Sequence, residues 1–310
     1  MTGHQPEEIL VDAGAVRLGA LVYGDPEAPP VVTTHGVGDL AWSMDSLARA
    51  LAAHHRVISL DLRGHGRSET GAYGMLHLIG DLRGAIESLE LVDPILVGHS
   101  LGGQVTAQFA GLFPDVPRLA VLIESIGPPS RADVDDHRSE GRRQIAHERI
   151  ELIRHPAGRR SMPDLAAAVH RLRATHPLLD PERARFLADK GTRPAPGGGI
   201  EWVFDPWARD WIAGHDHATA EERWQGVTCP VLAILGRDSY TTYWSKRMPP
   251  SWRAGMDGAL TDAERDRRLA NFADHALVEI EGAGHMVQYD KPDELNQAVL
   301  DFLSTMGSDP

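Results

Sequence analysis

The stretch "ILVGHSLGGQ", residues 95–104, contains the serine that is best placed to act as a nucleophile. An apolar run precedes it and an amphipathic helical pattern follows, so its G-x-S-x-G motif lies at a strand-to-helix turn. Glycine at positions 98 and 102 avoids collisions in such a sharp turn, and the helix N-terminus favours negative charge beside the hydroxyl. The motif therefore predicts Ser100 as a nucleophile.

A serine hydroxyl needs a general base at neutral pH, and the best candidate among the 16 histidines is His285. It lies in "VEIEGAGHMVQYDKP", where Gly-Ala-Gly-His follows an apolar run and precedes Pro292 and a helical pattern. The alternative for any single histidine is a packed or surface imidazole, but this context favours the base. His215 and His217 form a close pair without a third ligand, so we expect neither a metal site nor a cofactor.

An oxyanion that forms at Ser100 needs backbone amides that are already aimed at it. The amide of Leu101, directly after the nucleophile, is the first predicted donor. The second is the amide of Val37 in "TTHGVGD", which follows an early apolar run, with His35 and Gly36 shaping the turn.

The charge balance argues against two classes of partner. The 310 residues carry a formal net charge of -13, which disfavours binding to nucleic acid or to anionic membranes. The N-terminal residues lack the basic and apolar regions of a signal peptide, and no apolar run reaches the length of a membrane span. Cys229 is the only cysteine, which excludes an internal disulfide. We expect a cytoplasmic monomer or homodimer that binds a small molecule.

Short apolar runs alternate with helical patterns, which predicts an α/β fold with a mainly parallel sheet flanked by helices. An earlier run, "AVRLGALVYG", predicts an N-terminal strand antiparallel to the others. The helices are expected over residues 43–54, 76–89, 101–112 and 292–303. The later strands are expected in "PPVVTTHG", "HRVISLDLRG", "DPILVGHS", "LAVLIES", "CPVLAIL" and "ALVEIEG".

The alternation breaks at residues 128–225, which are rich in charge and contain no strand-like run. They predict a helical insertion into a core formed by residues 1–127 and 226–310, and a further helix is expected over residues 261–272. Six of the seven tryptophans lie in or after the late part of this insertion. They either pack the insertion onto the core or line an apolar pocket. The candidates for substrate binding are Trp207, Trp211, Tyr240 and Trp244.

The stretches "HGVGD", "DLRGHGRS", "GHSLGG" and "GAGHMV" resemble the α/β-hydrolase superfamily in order and spacing. The stretch "LIESIGPPSR" is further similar to a serine hydrolase-like subgroup. The resemblance implies an α/β-hydrolase fold, with a mainly parallel sheet flanked by helices and a helical cap where the insertion lies.

The resemblance leaves two candidates for the carboxylate that orients His285. The family commonly places this acid after the strand "VLAILG", in a turn that reads G-x-x-D. Here the turn reads "GRDS", so Ser239 occupies the expected position and Asp238 comes one residue early. Glu124, at the end of "VLIES", resembles relatives in which the acid has moved to that strand. Glu124 is the preferred acid and Asp238 is the alternative.

The leading hypothesis is a serine hydrolase that cleaves a carboxylic ester or lactone through an acyl-enzyme. A second keeps the same triad but cleaves a carbon–carbon bond of a diketone or carries out perhydrolysis. A third, of another class, is a small-molecule receptor with a retained triad. Haloalkane dehalogenases and epoxide hydrolases resemble this fold but need an aspartate at position 100, so both are disfavoured.

Overall fold

The computed structural model describes residues 5–127, 147, 150, 151, 154, 159–208, 217–244 and 260–306. Their strands are β1 (Glu7–Asp12), β2 (Arg17–Tyr23), β3 (Pro30–Thr34), β4 (Arg56–Leu60), β5 (Ile95–His99), β6 (Leu119–Ile123), β7 (Thr192–Pro194), β8 (Ile200–Trp202), β9 (Val231–Gly236) and β10 (His275–Ile280). Their helices are α1 (Asp45–Leu51), α2 (Met75–Ser88), α3 (Leu101–Leu112), α4 (Leu165–Thr175), α5 (Pro181–Lys190), α6 (His217–Trp224), α7 (Asp262–Leu269), α8 (Val287–Asp290) and α9 (Pro292–Met306). A 3-10 turn covers Ala41–Met44, and a π-helical turn covers Tyr240–Trp244.

Eight of these strands form one sheet in the order β1-β2-β4-β3-β5-β6-β9-β10. The pairs β1–β2 and β2–β4 are antiparallel, and every other pair is parallel. The α/β-hydrolase fold with its mainly parallel sheet is thereby confirmed, and the antiparallel strand expected in residues 15–24 is β2, the second strand from the edge. Strand β1 was not predicted, because its acidic and exposed residues give no apolar run at an outer strand.

The sheet is buried on both faces at its centre, where every residue of β5 and β6 is inaccessible to solvent. Residues of α1 and α9 pack on one side, and residues of α2 and α3 pack on the other. Parallel strands covered on both faces read as continuous apolar runs, which is why the central strands could be recognised in the sequence. Within the described part of the chain, no helix combines the length and apolarity needed to cross a bilayer.

The prediction that residues 128–225 contain no strand is wrong. Besides α4 and α5, the described residues of this stretch form an antiparallel hairpin of β7 and β8. Its turn contains Gly198 and Gly199 at φ values of 95° and 73°, a conformation that glycine adopts without steric cost. Each strand has only three residues, which is too short for an alternating pattern to be visible in the sequence.

Helix α6 also falls within the predicted insertion, yet it packs on the core. The Trp224 side chain is fully buried, and its ring stacks on Phe272 with centroids 5.4 Å apart. Trp224 shares a cluster with Ala107 of α3 and Val231 of β9. This tryptophan therefore supports the packing interpretation, and α6 belongs with the helices that flank the sheet.

A buried ion pair fixes the loop between β4 and α2. The Arg63 guanidinium donates two hydrogen bonds to the Asp81 carboxylate, Nε–Oδ2 at 2.6 Å and the second at 2.5 Å. A third goes to the carbonyl of Ala72 at 2.6 Å. The Arg63 and Asp81 side chains are only 3% and 4% exposed, so loss of one partner would leave the other charge buried and unpaired.

We therefore expect Arg63→Leu to lower the free energy of unfolding by about 3–5 kcal/mol, measured by urea denaturation. Arg67→Leu is the matched control, because it removes a pair with Glu8 whose side chains are both more than 40% exposed. Equal losses in the two variants would show that burial of the Arg63 pair adds nothing to stability.

Candidate active site

Ser100 lies at a strained turn between β5 and α3. Its backbone has φ 50° and ψ -112°, a conformation that non-glycine residues rarely adopt. Its amide donates to the carbonyl of Ile123 on β6 at 2.8 Å. A Cβ at Gly98 would collide with the backbone of Gly102, and one at Gly102 would lie 2.6 Å from Thr34 Oγ1. The two glycines of the motif are thus required by close backbone approach.

Three side chains from separate loops form a chain of hydrogen bonds. The Ser100 hydroxyl lies 3.0 Å from His285 Nε2, in position to donate to it. His285 Nδ1–H donates to Glu124 Oε2 at 2.9 Å, so the carboxylate sets the tautomer that leaves Nε2 as an acceptor. The His285 and Glu124 side chains are 2% and 7% exposed, so both groups interact away from bulk water.

The end of β9 holds the Glu124 carboxylate. Glu124 has φ 52°, and its amide donates to the carbonyl of Ile234 at 2.8 Å. The Gly236 amide donates to Oε1 at 2.7 Å, and the Ser239 hydroxyl donates to Oε2 at 2.6 Å. A left-handed glutamate costs about 1–3 kcal/mol, so these contacts must offset that strain.

The main chain of Asp238, the alternative acid, is bound to other segments. Its amide donates to the carbonyl of Ala283 at 2.9 Å, and its carbonyl accepts from the Thr242 amide at 2.9 Å. The Nδ1–H of His285 is already bound by Glu124. The structure therefore brings Glu124, and not Asp238, to the imidazole.

The loop after β3 passes beside the nucleophile. A Cβ at Gly36 would lie 3.2 Å from the Ser100 Cβ. Val37 follows in this loop, and Leu101 opens α3. Within the described residues, neither of their amides donates to a protein acceptor. Both predicted oxyanion donors therefore belong to segments that meet at Ser100.

Two buried histidines fix the shape of that loop. His35 Nδ1–H donates to the carbonyl of Gly36 at 2.7 Å, and His35 Nε2 accepts from the Leu62 amide at 3.0 Å. His65 Nε2 accepts from the Gly38 amide at 2.9 Å. Burial holds the pKa of His35 well below its usual value, so its ring is neutral and can accept as well as donate.

His99 was not among the predicted site residues, although it contacts the loop of the base directly. His99 Nε2–H donates to the carbonyl of His285 at 2.8 Å, and Gln288 Nε2–H donates to His99 Nδ1 at 3.1 Å. Burial lowers the pKa of His99 to about 3. The available signal was a histidine inside an apolar strand, where both ring nitrogens must find partners.

Aromatic side chains of the π-helical turn cover the imidazole of His285. The Tyr243 ring lies 4.3 Å from it between centroids, and the Trp244 ring lies 4.9 Å from it. Trp244 was a predicted binding residue and Tyr240 lies in the same turn, whereas Tyr243 was missed because no motif marks it.

Of the other two predicted binding residues, Trp207 lies in the described part of the chain, away from the ring contacts of the imidazole. Trp207 follows Asp205, whose amide donates to the carbonyl of Gly64 at 2.6 Å and whose carboxylate accepts from the Tyr73 hydroxyl at 2.9 Å. Trp207 thus lies where the insertion meets the loop after β4. Trp211 lies outside the described residues.

Comparison with known proteins assigns the chain to a family. The model of the alpha/beta hydrolase family matches residues 31–298, and the chain therefore belongs to this family. It is 24% identical over 306 residues to a serine hydrolase-like protein of Danio rerio, covering 94% of this chain and 87% of the relative. It is 28% identical over 340 residues to epoxide hydrolase A of Mycobacterium tuberculosis, covering 96% of this chain and 98% of the relative.

Among solved structures, an E-2-(acetamidomethylene)succinate hydrolase superposes with a TM-score of 0.76. Its sequence is 24% identical, and the match covers 96% of this chain and 99% of that chain, so this likeness shows a shared fold. The family and the curated relatives together support a hydrolase.

The contact of Glu124 with His285 predicts different outcomes for the two candidate acids. Glu124→Gln is expected to lower kcat by about 10²–10⁴-fold, because the imidazolium would lose its carboxylate partner. Asp238→Asn, in the turn after β9, is the matched control, and its kcat is expected to stay within about threefold of the wild-type value. The kcat and KM of both variants on a short-chain p-nitrophenyl ester decide the point. The opposite ranking would make Asp238 the acid.

The buried ring of His99 predicts a pH-dependent contribution to stability. In the unfolded chain the His99 imidazole takes up a proton below its ordinary pKa of about 6.5. In the folded chain the same imidazole stays neutral down to about pH 3. The free energy of unfolding of the wild type therefore falls as the pH drops from about 6.5 to 3. A variant without His99 does not show this part of the decrease. The stability difference between wild type and His99→Gln should shift by about 1.4 kcal/mol per pH unit between pH 6 and pH 4.

Urea unfolding of wild type and His99→Gln at several pH values measures this difference. His77→Gln, which removes an exposed imidazole from α2, is the control for the loss of a ring. A difference between wild type and His99→Gln that does not vary with pH would contradict a His99 held neutral by burial.

Proposed function

We propose that this protein is a serine hydrolase that cleaves the ester or lactone bond of a small, partly apolar molecule through an acyl-enzyme. The observation that carries the proposal is the hydrogen-bond chain from Ser100 through His285 to Glu124, with distances of 3.0 and 2.9 Å. A strained serine, an imidazole and a buried carboxylate in this order match the requirements of nucleophilic acyl transfer.

The steps follow from the atoms in contact. Ser100 Oγ attacks the carbonyl carbon while His285 Nε2 takes the hydroxyl proton. The imidazolium is stabilised by Glu124, and the amides of Val37 and Leu101 donate to the oxyanion. His285 returns the proton to the leaving oxygen, and then activates the water that hydrolyses the acyl-enzyme.

The residue at position 100 separates this chemistry from that of the epoxide hydrolase relative. Opening an epoxide through an alkyl-enzyme ester needs a carboxylate nucleophile, as the family resemblance implies, whereas a serine hydroxyl gives an acyl-enzyme from a carbonyl substrate. The serine at 100 therefore favours carbonyl substrates for this chain.

We further propose that the insertion acts as a cap over this site. The ring of His176, which follows α4, stacks near Tyr243 with centroids 6.5 Å apart and meets Tyr289 edge-on at 5.5 Å. Tyr243 in turn contacts His285. This continuity of rings from the insertion to the base supports an apolar pocket, with Tyr243 and Trp244 as one wall.

Removal of the nucleophile tests the proposal. Ser100→Ala is expected to lower ester turnover by at least about 10⁴-fold without changing Tm, because the nucleophilic oxygen is lost and the fold keeps its packing. A fluorophosphonate probe should label the wild type at Ser100 and should not label this variant. Ser304→Ala, which removes an exposed hydroxyl on α9, is the control and should retain labelling.

Near-native turnover in Ser100→Ala would refute the enzyme assignment. Labelling of Ser100 without turnover on a panel of esters, lactones and diketones would instead favour the receptor hypothesis. Cleavage of diketones alone would favour carbon–carbon bond hydrolysis.

A further inference from the structure

The turn after β9 does not supply the acid, but it supplies the groups that hold the acid. Gly236 and Ser239 each donate to one oxygen of the Glu124 carboxylate, at 2.7 and 2.6 Å. Both donors come from the turn in which the family resemblance places the acid. The turn in which the acid was expected therefore binds a carboxylate that comes from the end of the neighbouring strand.

Ser239 is the residue of this turn whose side chain binds the Glu124 carboxylate. Its residue is only 9% exposed, and its hydroxyl donates to Oε2, the same oxygen that accepts His285 Nδ1–H. With Oε1 fixed by the Gly236 amide, the carboxylate cannot rotate about its terminal bond without breaking a hydrogen bond. Orientation of a charged acceptor by such donors is a common way to tune a histidine that the acceptor contacts.

We propose that Ser239 is a positioning residue that fixes the Glu124 carboxylate on His285, and that a carboxylate introduced at position 239 can replace Glu124. The inference rests on the proposed hydrolase function for its kinetic readout only. Its geometric basis is that Ser239 Oγ and His285 Nδ1 both lie within 3 Å of one oxygen atom.

The neighbouring residue shows why the position matters. Asp238 already carries a carboxylate, but its main chain is bound to Ala283 and Thr242 while Glu124 occupies the imidazole. A carboxylate at 239 would start from a Cβ whose hydroxyl already reaches the Glu124 oxygen. Positions 238 and 239 therefore differ in which of them points a side chain at the Glu124 oxygen: position 239 does, through its hydroxyl.

The first experiment removes the hydroxyl. Ser239→Ala is expected to lower kcat and the rate of fluorophosphonate labelling by about 10- to 100-fold with KM unchanged, since a hydrogen bond to a charged group is lost. Ser239→Thr keeps the hydroxyl and should retain most of the rate. Thr241→Ala is the matched control, because it removes a hydroxyl of the same turn that donates to the carbonyl of Asp238. Wild-type kcat and labelling in Ser239→Ala would overturn the proposal.

The second experiment moves the acid. The double variant Glu124→Gln with Ser239→Asp is expected to recover at least about tenfold in kcat over Glu124→Gln alone, because a carboxylate again accepts from His285. A position 239 from which a carboxylate cannot reach the imidazole would give no such rescue. A folded double variant, judged by circular dichroism and Tm, that is no more active than Glu124→Gln would overturn the proposal.

A third measurement does not depend on turnover. The proton on His285 Nδ1, followed by NMR and assigned by its loss in His285→Gln, should shift and exchange faster with water in Ser239→Ala. An unchanged resonance would overturn the inference even in a protein with esterase activity. Absence of both labelling and turnover in the wild type would refute the proposed function, while the NMR comparison would still test Ser239.

Discussion

The site depends on the close approach of three backbone segments where β5 turns into α3. Gly98 is in contact with the first turn of α3, Gly36 lies against Ser100, and Gly102 lies against the end of β3. A side chain at any of these positions would separate segments that must touch. Because β3, β5, β6 and β9 run parallel, their carboxyl ends lie at one edge of the sheet, and the loops that carry chemistry meet there.

Buried polar groups help to hold these loops in place. His35 and His99 resist protonation because they are buried. Asp39 accepts from the Tyr289 hydroxyl and Asp61 from the Ala41 amide, both at 2.7 Å, and burial raises the pKa of each aspartate to about 6. The two classes act in opposite directions as the pH falls. The histidines cost stability below about pH 6.5, because only the unfolded chain takes up their protons, whereas the aspartates take up protons more readily in the folded chain. The loss in free energy of unfolding at low pH is therefore smaller than the two histidines alone would cause.

The sequence allowed prediction of the elements whose pattern is local. The run 101–112 was expected as a helix and is helical over that range, because glycine, amphipathicity and the preceding strand all agree. The hairpin of β7 and β8 was missed because its strands are too short to alternate, and β1 was missed because it is an exposed outer strand. The contact of Tyr243 with His285 could not be predicted, since it depends on how a long connection returns over the site. The same holds for His99, whose partners are nearly 190 residues away in the chain.

The ambiguity between Glu124 and Asp238 has a physical origin in the sheet. Strands β6 and β9 are parallel neighbours in which Ile123 pairs with Ile234, so the residues that follow each strand emerge side by side. The imidazole requires a carboxylate oxygen at one point in space, and a side chain from either strand end can reach that point. What decides between them is the backbone conformation: Glu124 is turned inward at φ 52°, and the next turn receives it with an amide and a hydroxyl. Sequence spacing records neither of these, because a left-handed glutamate has no signature in the sequence, one donor is the main-chain amide of Gly236, and nothing marks the Ser239 hydroxyl as the other.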